Sequence, residues 1–110
     1  MNSITINTAK MGKLTFDLHY GENEIISDTV FGCVSQGDER IVTAVLETSV
    51  TSLDRILTIA LQQLTAELVH DTIKGYSTKD IKQQIEVINK ILKCNEVVTL
   101  MTTDLLLTVN

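Results

Sequence analysis

Leu14, Phe16, Leu18 and Tyr20 alternate with Lys13, Thr15, Asp17 and His19, a period of two that places one set on each face of a strand. Upstream, Ile4 and Ile6 repeat the alternation within residues 3–8, and Met11-Gly12 supplies a tight turn between the two runs. The pattern predicts a β-hairpin over 3–20. Gly21-Glu22-Asn23-Glu24 reads as a second turn, and a β-branched run follows from Ile25. A second hairpin is expected, with strands near 29–35 and 40–48 joined by Gln36-Gly37-Asp38-Glu39. The competing reading makes 38–47 a short helix capped by Asp38. Ile41, Val42, Thr43 and Val45 favour the strand, because β-branching costs rotamer freedom in a helix.

The period changes at Thr51. Leu53, Leu57, Ala60, Leu61, Leu64 and Leu68 form one broad apolar stripe on a helical wheel, and the helix is expected to run to Lys74, with Gly75 past its end. Thr51 is the expected cap, with Asp54 three residues on. Ser77 and Asp80 repeat that pattern for a second helix to about Lys93. The two helices make an αα-hairpin lying on the sheet. Residues 96–109 are rich in Val, Thr and Leu and suggest a final strand, with Asn95 as cap of a third helix being the alternative. The fold class is therefore α+β: about four antiparallel strands over 1–50, a helical hairpin over 51–94 and a C-terminal strand over 95–110, within one domain.

The first helix carries a second, narrower stripe: Ile59, Ala66, Val69 and Ile73, with Gln62 in the remaining heptad position. It points roughly opposite the broad stripe, so the helix needs two partners. The second helix can cover it with Ile81, Ile85, Ile88 and Leu92, giving a three-layer monomer. Alternatively another copy covers it, which makes Ile59, Gln62, Ala66, Val69 and Ile73 an oligomer interface.

Charge narrows the partners. The net charge is −5, and the first fifty residues hold three bases against seven acids, a net of −4. That balance argues against nucleic acid, which needs a face of cations to displace counterions. It suggests instead an acidic surface, Asp17, Glu22, Glu24 and Asp28, facing a basic protein partner. No apolar run approaches a membrane span, and no signal peptide precedes Lys10, so a cytoplasmic protein is expected. Cys33 and Cys94 are expected as free, buried thiols.

Chemistry-bearing residues are sparse. His19, His70, Cys33 and Cys94 are the zinc-ligand types, but each comes from a different element, without the local pairing that lets one turn present two donors. Cys33 lies in Phe31-Gly32-Cys33-Val34, an apolar setting that keeps a thiol inert rather than paired with a histidine as a nucleophile. The glycines fit no phosphate-loop spacing. The sequence is thus read as a non-catalytic binding protein without cofactors, a homo-oligomeric regulator or inhibitor of another protein. Its lack of Pro and its Ile/Lys/Asn/Thr bias suit a phage or mobile-element origin. An oligomeric binder of a small, nucleotide-like ligand and a structural assembly subunit are the alternatives.

Overall fold

In a computed structural model that describes residues 1–21 and 28–107, the alternating run of the N-terminus becomes β1 (Ser3–Thr8) and β2 (Gly12–Tyr20). Ile4 lies opposite Phe16 and Ile6 opposite Leu14, so their side chains share one face. Gly12 turns the chain at φ 71°, a left-handed value that glycine adopts without strain. The Thr8 hydroxyl locks this turn, accepting from the Met11 N–H at 2.9 Å and donating to the Gly12 carbonyl at 2.8 Å.

The second hairpin is β3 (Val30–Gln36) and β4 (Glu39–Leu46), joined through Gly37 at φ 60°. The β-branched content of 41–45 therefore prevails over the helical alternative. The four strands form a meander in the order β1-β2-β3-β4, every neighbour antiparallel. Between β2 and β3 the expected acidic turn, including Glu22 and Glu24, lies outside the described residues. The Gly21 N–H donates to the Thr29 carbonyl at 3.0 Å across its base.

Helices cover one face of the sheet. β5 (Val50–Ser52) leads into α1 (Leu53–Lys74), and α2 (Lys79–Leu92) follows after a short connection. Phe16, Leu14, Leu18 and Val34 from the sheet meet Leu53, Ile56, Leu57, Ile88 and Ile91 from the helices in a core that excludes water almost completely. It is aliphatic except for Phe16, as the low aromatic content requires. The broad stripe of α1 is the core-facing one, with Ile56 added to it.

Both helix starts differ from expectation by one residue. Thr51 is not the cap of α1: it belongs to β5, opposite Leu105, and its side chain is turned inward. Ser52 takes the role, its hydroxyl accepting from the Arg55 N–H at 3.2 Å. Ser77 likewise does not cap α2. Thr78 occupies that position without a side-chain bond, and its carbonyl accepts the first helical N–H, from Lys82. The end of α1 follows the pattern: Gly75 sits at φ 75°, its N–H bonding the Thr72 carbonyl and that of Tyr76 the Asp71 carbonyl, the paired closure of a Schellman motif.

The C-terminal run is only partly strand. Asn95–Val98 forms one helical turn, α3, and only Asp104–Leu106 is extended, as β6 paired with β5. Two tertiary contacts override the β propensity of Val97 and Val98. Val97 is fully buried, and the Glu96 carboxylate accepts the Ala9 N–H at 2.8 Å, tying α3 to the β1–β2 turn. Residues 108 and 109, the end of the expected strand, lie outside the described residues.

The Glu96 contact carries a pH signature. Its own backbone N–H and then that of Ala9 hold its carboxyl below the usual range. A depressed carboxylate pKa adds stability that is present above the unfolded-state value and is lost as pH falls through the folded-state value. Glu96→Gln keeps an acceptor but loses the charge. Its urea midpoint is expected to lie below that of the wild type at neutral pH, and the two to converge in acid.

Candidate functional site

Two regions gather the residues that the sequence singles out, and a third emerges only in the fold. The first is the back of α1. At about 1.5 Å per residue, its 22 residues span about 33 Å. The N-terminal half is packed down by Leu53, Ile56, Leu57, Ala60 and Leu64, whereas beyond Leu64 only Leu68 and Asp71 are even half-covered. The narrow stripe lies on the uncovered side. Gln62 and Ala66 are exposed, Val69 is 55% and Ile73 78% exposed, and Tyr76 past the Schellman turn is 62% exposed. Ile59 alone is half-buried and packs against the core.

The three-layer arrangement is not formed. α2 lies beside α1 and touches β4 as well, with Ile81, Ile88 and Ile91 in the common core. Its apolar face goes into that core, and Val69 and Ile73 of α1 are left exposed. Heptad spacing alone does not say which side of a helix a neighbour approaches; the sheet decides it here, because one sheet face accommodates both helices side by side.

The second region is the face of the sheet opposite the helices. Alternation sends Asp17, His19, Phe31, Cys33 and Thr43 there. Asp17 and His19 bond through Oδ2 and Nδ1 at 2.9 Å, and the His19 ring stacks on Phe31 at 5.7 Å between centroids. Cys33 sits between Asp17 and Thr43 and is fully covered by its neighbours. Burial pushes its thiol pKa up, outweighing the Thr43 hydroxyl at 3.9 Å, so the sulfur stays protonated and a poor nucleophile. Cys33 and His19 thus share a face, set by the β2–β3 register and not by their spacing in the sequence, but without the activated thiolate that nucleophilic chemistry needs. Cys94 is buried at the end of α2, unpaired like Cys33, and His70 lies on the exposed part of α1 beside Asp71. The four zinc-ligand types are therefore dispersed. Of the acidic surface, Asp17 is tied to His19, Asp28 is exposed just before β3, and Glu22 and Glu24 lie outside the described residues.

The third region went unnoticed in the sequence. β4 is an edge strand, and edge strands expose backbone groups that invite pairing. The Gln63 side chain fills that role at Val45: its Oε1 accepts the Val45 N–H at 3.0 Å and its Nε2 donates to the Val45 carbonyl at 2.8 Å. The amide takes the place of a neighbouring strand's peptide group. Beside it a cleft of about 300 Å³ opens between the end of β4 and α1, lined by Glu47, Thr48, Thr51, Arg55, Ile59 and Gln62 among others. A side-chain amide meeting a strand 18 residues away leaves no local signal, whereas Glu47 and Arg55 were visible only as ordinary surface charges.

No helix among the described residues is long and apolar enough to cross a membrane. No family model, curated protein or solved structure matches this chain.

Proposed function

We propose that this chain is a small non-catalytic binding protein that works as a homo-oligomer, paired through the outward face of α1, and that it regulates a protein partner through the acidic surface around Asp17 and Asp28. The observation that carries the reading is the line of Ala66, Val69 and Ile73 along a helix whose outer half is uncovered, with the exposed Tyr76 just past its end. Isolated exposed apolar residues are ordinary, but a continuous line on a regular element marks an interaction surface.

Magnitudes decide the kind of assembly. Full burial of an aliphatic side chain is worth about 1.5–3 kcal/mol, so the exposed parts of Val69 and Ile73, covered on two copies, yield on the order of 4–8 kcal/mol. Association costs begin at about 4 kcal/mol. The pairing is therefore reversible and concentration-dependent, with Tyr76 adding apolar area and Ala66 allowing close approach.

Light scattering tests this. The wild type is expected to rise in mass above the 12.2 kDa of one chain as concentration increases. Val69→Glu with Ile73→Glu is expected to remain at one chain's mass with its helical circular dichroism intact, since both positions are exposed. A wild type that stays monomeric throughout would sink the reading. Ile59→Glu is the wrong probe, because that side chain is half-buried and its loss confuses dissociation with unfolding.

A further inference from the structure

We propose that the cleft between the end of β4 and α1 is a binding site for a small zwitterion of the α-amino-acid class: a carboxylate and an ammonium on one carbon, with a short apolar remainder. The site lies within one chain and does not depend on the pairing of α1.

Three observations converge. The first is the Thr51 hydroxyl. Thr51 lines the cleft, is only 4% exposed, and its Oγ1 is the one buried side-chain nitrogen or oxygen among the described residues without a hydrogen-bond partner. Proteins rarely leave such a group unpaired, because its desolvation is uncompensated. Thr51 faces the interior from β5, where valine would pack equally well with no unsatisfied atom, so the hydroxyl is unexplained by the fold.

The second is a pair of opposite charges that do not meet. Glu47 and Arg55 line the same cleft, yet neither lies within 4.0 Å of an oppositely charged group among the described residues. A molecule carrying both charges a bond or two apart bridges them: its carboxylate takes the guanidinium fork of Arg55, and its ammonium takes Glu47. A simple anion satisfies only one side. Nor is the start of α1 available to hold one, since the first N–H groups are occupied: Leu53 by the Thr103 carbonyl, Asp54 by that of Met101 and Arg55 by the Ser52 hydroxyl.

The third is size and lining. About 300 Å³ lies at the small end of ligand cavities, suited to an amino acid rather than a nucleotide. Ile59 and Leu46 supply an apolar wall for the remainder, while Gln63, already committed to Val45, fixes the strand against the helix and sets the cleft's width.

The test is a titration of the full ¹⁵N-labelled chain with L-leucine, acetate and methylammonium, each followed by amide shifts. Leucine is expected to give saturable shifts confined to residues 45–51 and 55–63, with acetate and methylammonium each weaker by about tenfold or more, the factor that 1.4 kcal/mol confers. Arg55→Gln and Glu47→Gln, both at exposed positions, are expected to weaken leucine by a similar factor while leaving the spectrum otherwise that of the folded wild type. Thr51→Val separates a ligand-binding hydroxyl from a structural one. It is expected to raise Tm and to weaken leucine binding; a rise in Tm with binding unchanged would remove Thr51 from the site and overturn the proposal. Acetate binding as well as leucine would replace the zwitterion with an anion, and the absence of saturable shifts at millimolar leucine would dismiss the site.

Discussion

Replacing Gly32 with Ala lowers stability by about 1–3 kcal/mol, the usual cost of forcing a carbon into a filled core. Elsewhere in a strand the same change is favourable, because glycine loses more backbone entropy on folding than alanine does. Here the sign reverses. Gly32 lies in the middle of β3 on the face that meets the helices, opposite Leu18 and Ala44. A β-carbon there would stand 2.9 Å from Ile56 Cγ1 and 3.0 Å from Leu46 Cδ1, inside contact distance for both. Its φ is not positive, so the requirement is room rather than backbone freedom. The pattern of Phe31-Gly32-Cys33-Val34 suggests a glycine that brackets the hairpin turn, which is true only of Gly37. What Gly32 does is admit Ile56 of α1 against the sheet. Chemical denaturation of Gly32→Ala, Ile56→Ala and the double variant checks this: the double variant is expected to be less destabilised than the two single losses added together, because the cavity left by Ile56 receives the new methyl group. Strict additivity would mean that the two sites do not touch.

Gln63→Ala is expected to cost about 1–3 kcal/mol, the sum of two bonds worth about 0.5–1.5 kcal/mol each. The exposure of the contact places the value toward the lower end. The more specific result is at one amide. Val45 lies on an edge strand and is half exposed, so its N–H would ordinarily exchange quickly. With Gln63 Oε1 at 3.0 Å it is expected to be protected, and to lose that protection in the variant while the amides of β2 and β3 keep theirs. Gln63→Glu sharpens the reading, since a carboxylate can accept from the Val45 N–H but cannot donate to its carbonyl. Stability lost in Gln63→Glu at neutral pH should return in part in acid, where the protonated carboxyl regains a donor. An unchanged Val45 exchange rate in Gln63→Ala would show that the edge is closed by something else.

The sequence alone determined the elements whose signal is periodic and local. The two-residue alternation of 13–20 calls for a strand whichever partner it finds, and the β-branched residues of 41–45 favour the strand over the helical alternative, a preference that β4 bears out. The apolar stripe from Leu53 to Leu64 fixes both the helix and the side it buries, and Gly75 fixes where the helix stops, because only the residue with no β-carbon adopts φ 75° freely. These are properties of short segments, so neighbours in the chain suffice to specify them. Tertiary structure decided what depends on partners distant in sequence. Thr51 gave up its cap to Ser52 because β6, more than fifty residues later, claims it as a strand residue. Only the start of the run expected as strand coiled, as α3 at Asn95–Val98, because Ala9 and the core hold Glu96 and Val97. The second stripe of α1 was legible as apolar, but its exposure was not: whether α2 lies over it or beside it turns on the width of the sheet, which no segment encodes. The cleft is the extreme case. Glu47 and Arg55 read as surface charges and Thr51 as a helix cap in one dimension, and they are brought to one cleft only where β4, β5 and α1 converge.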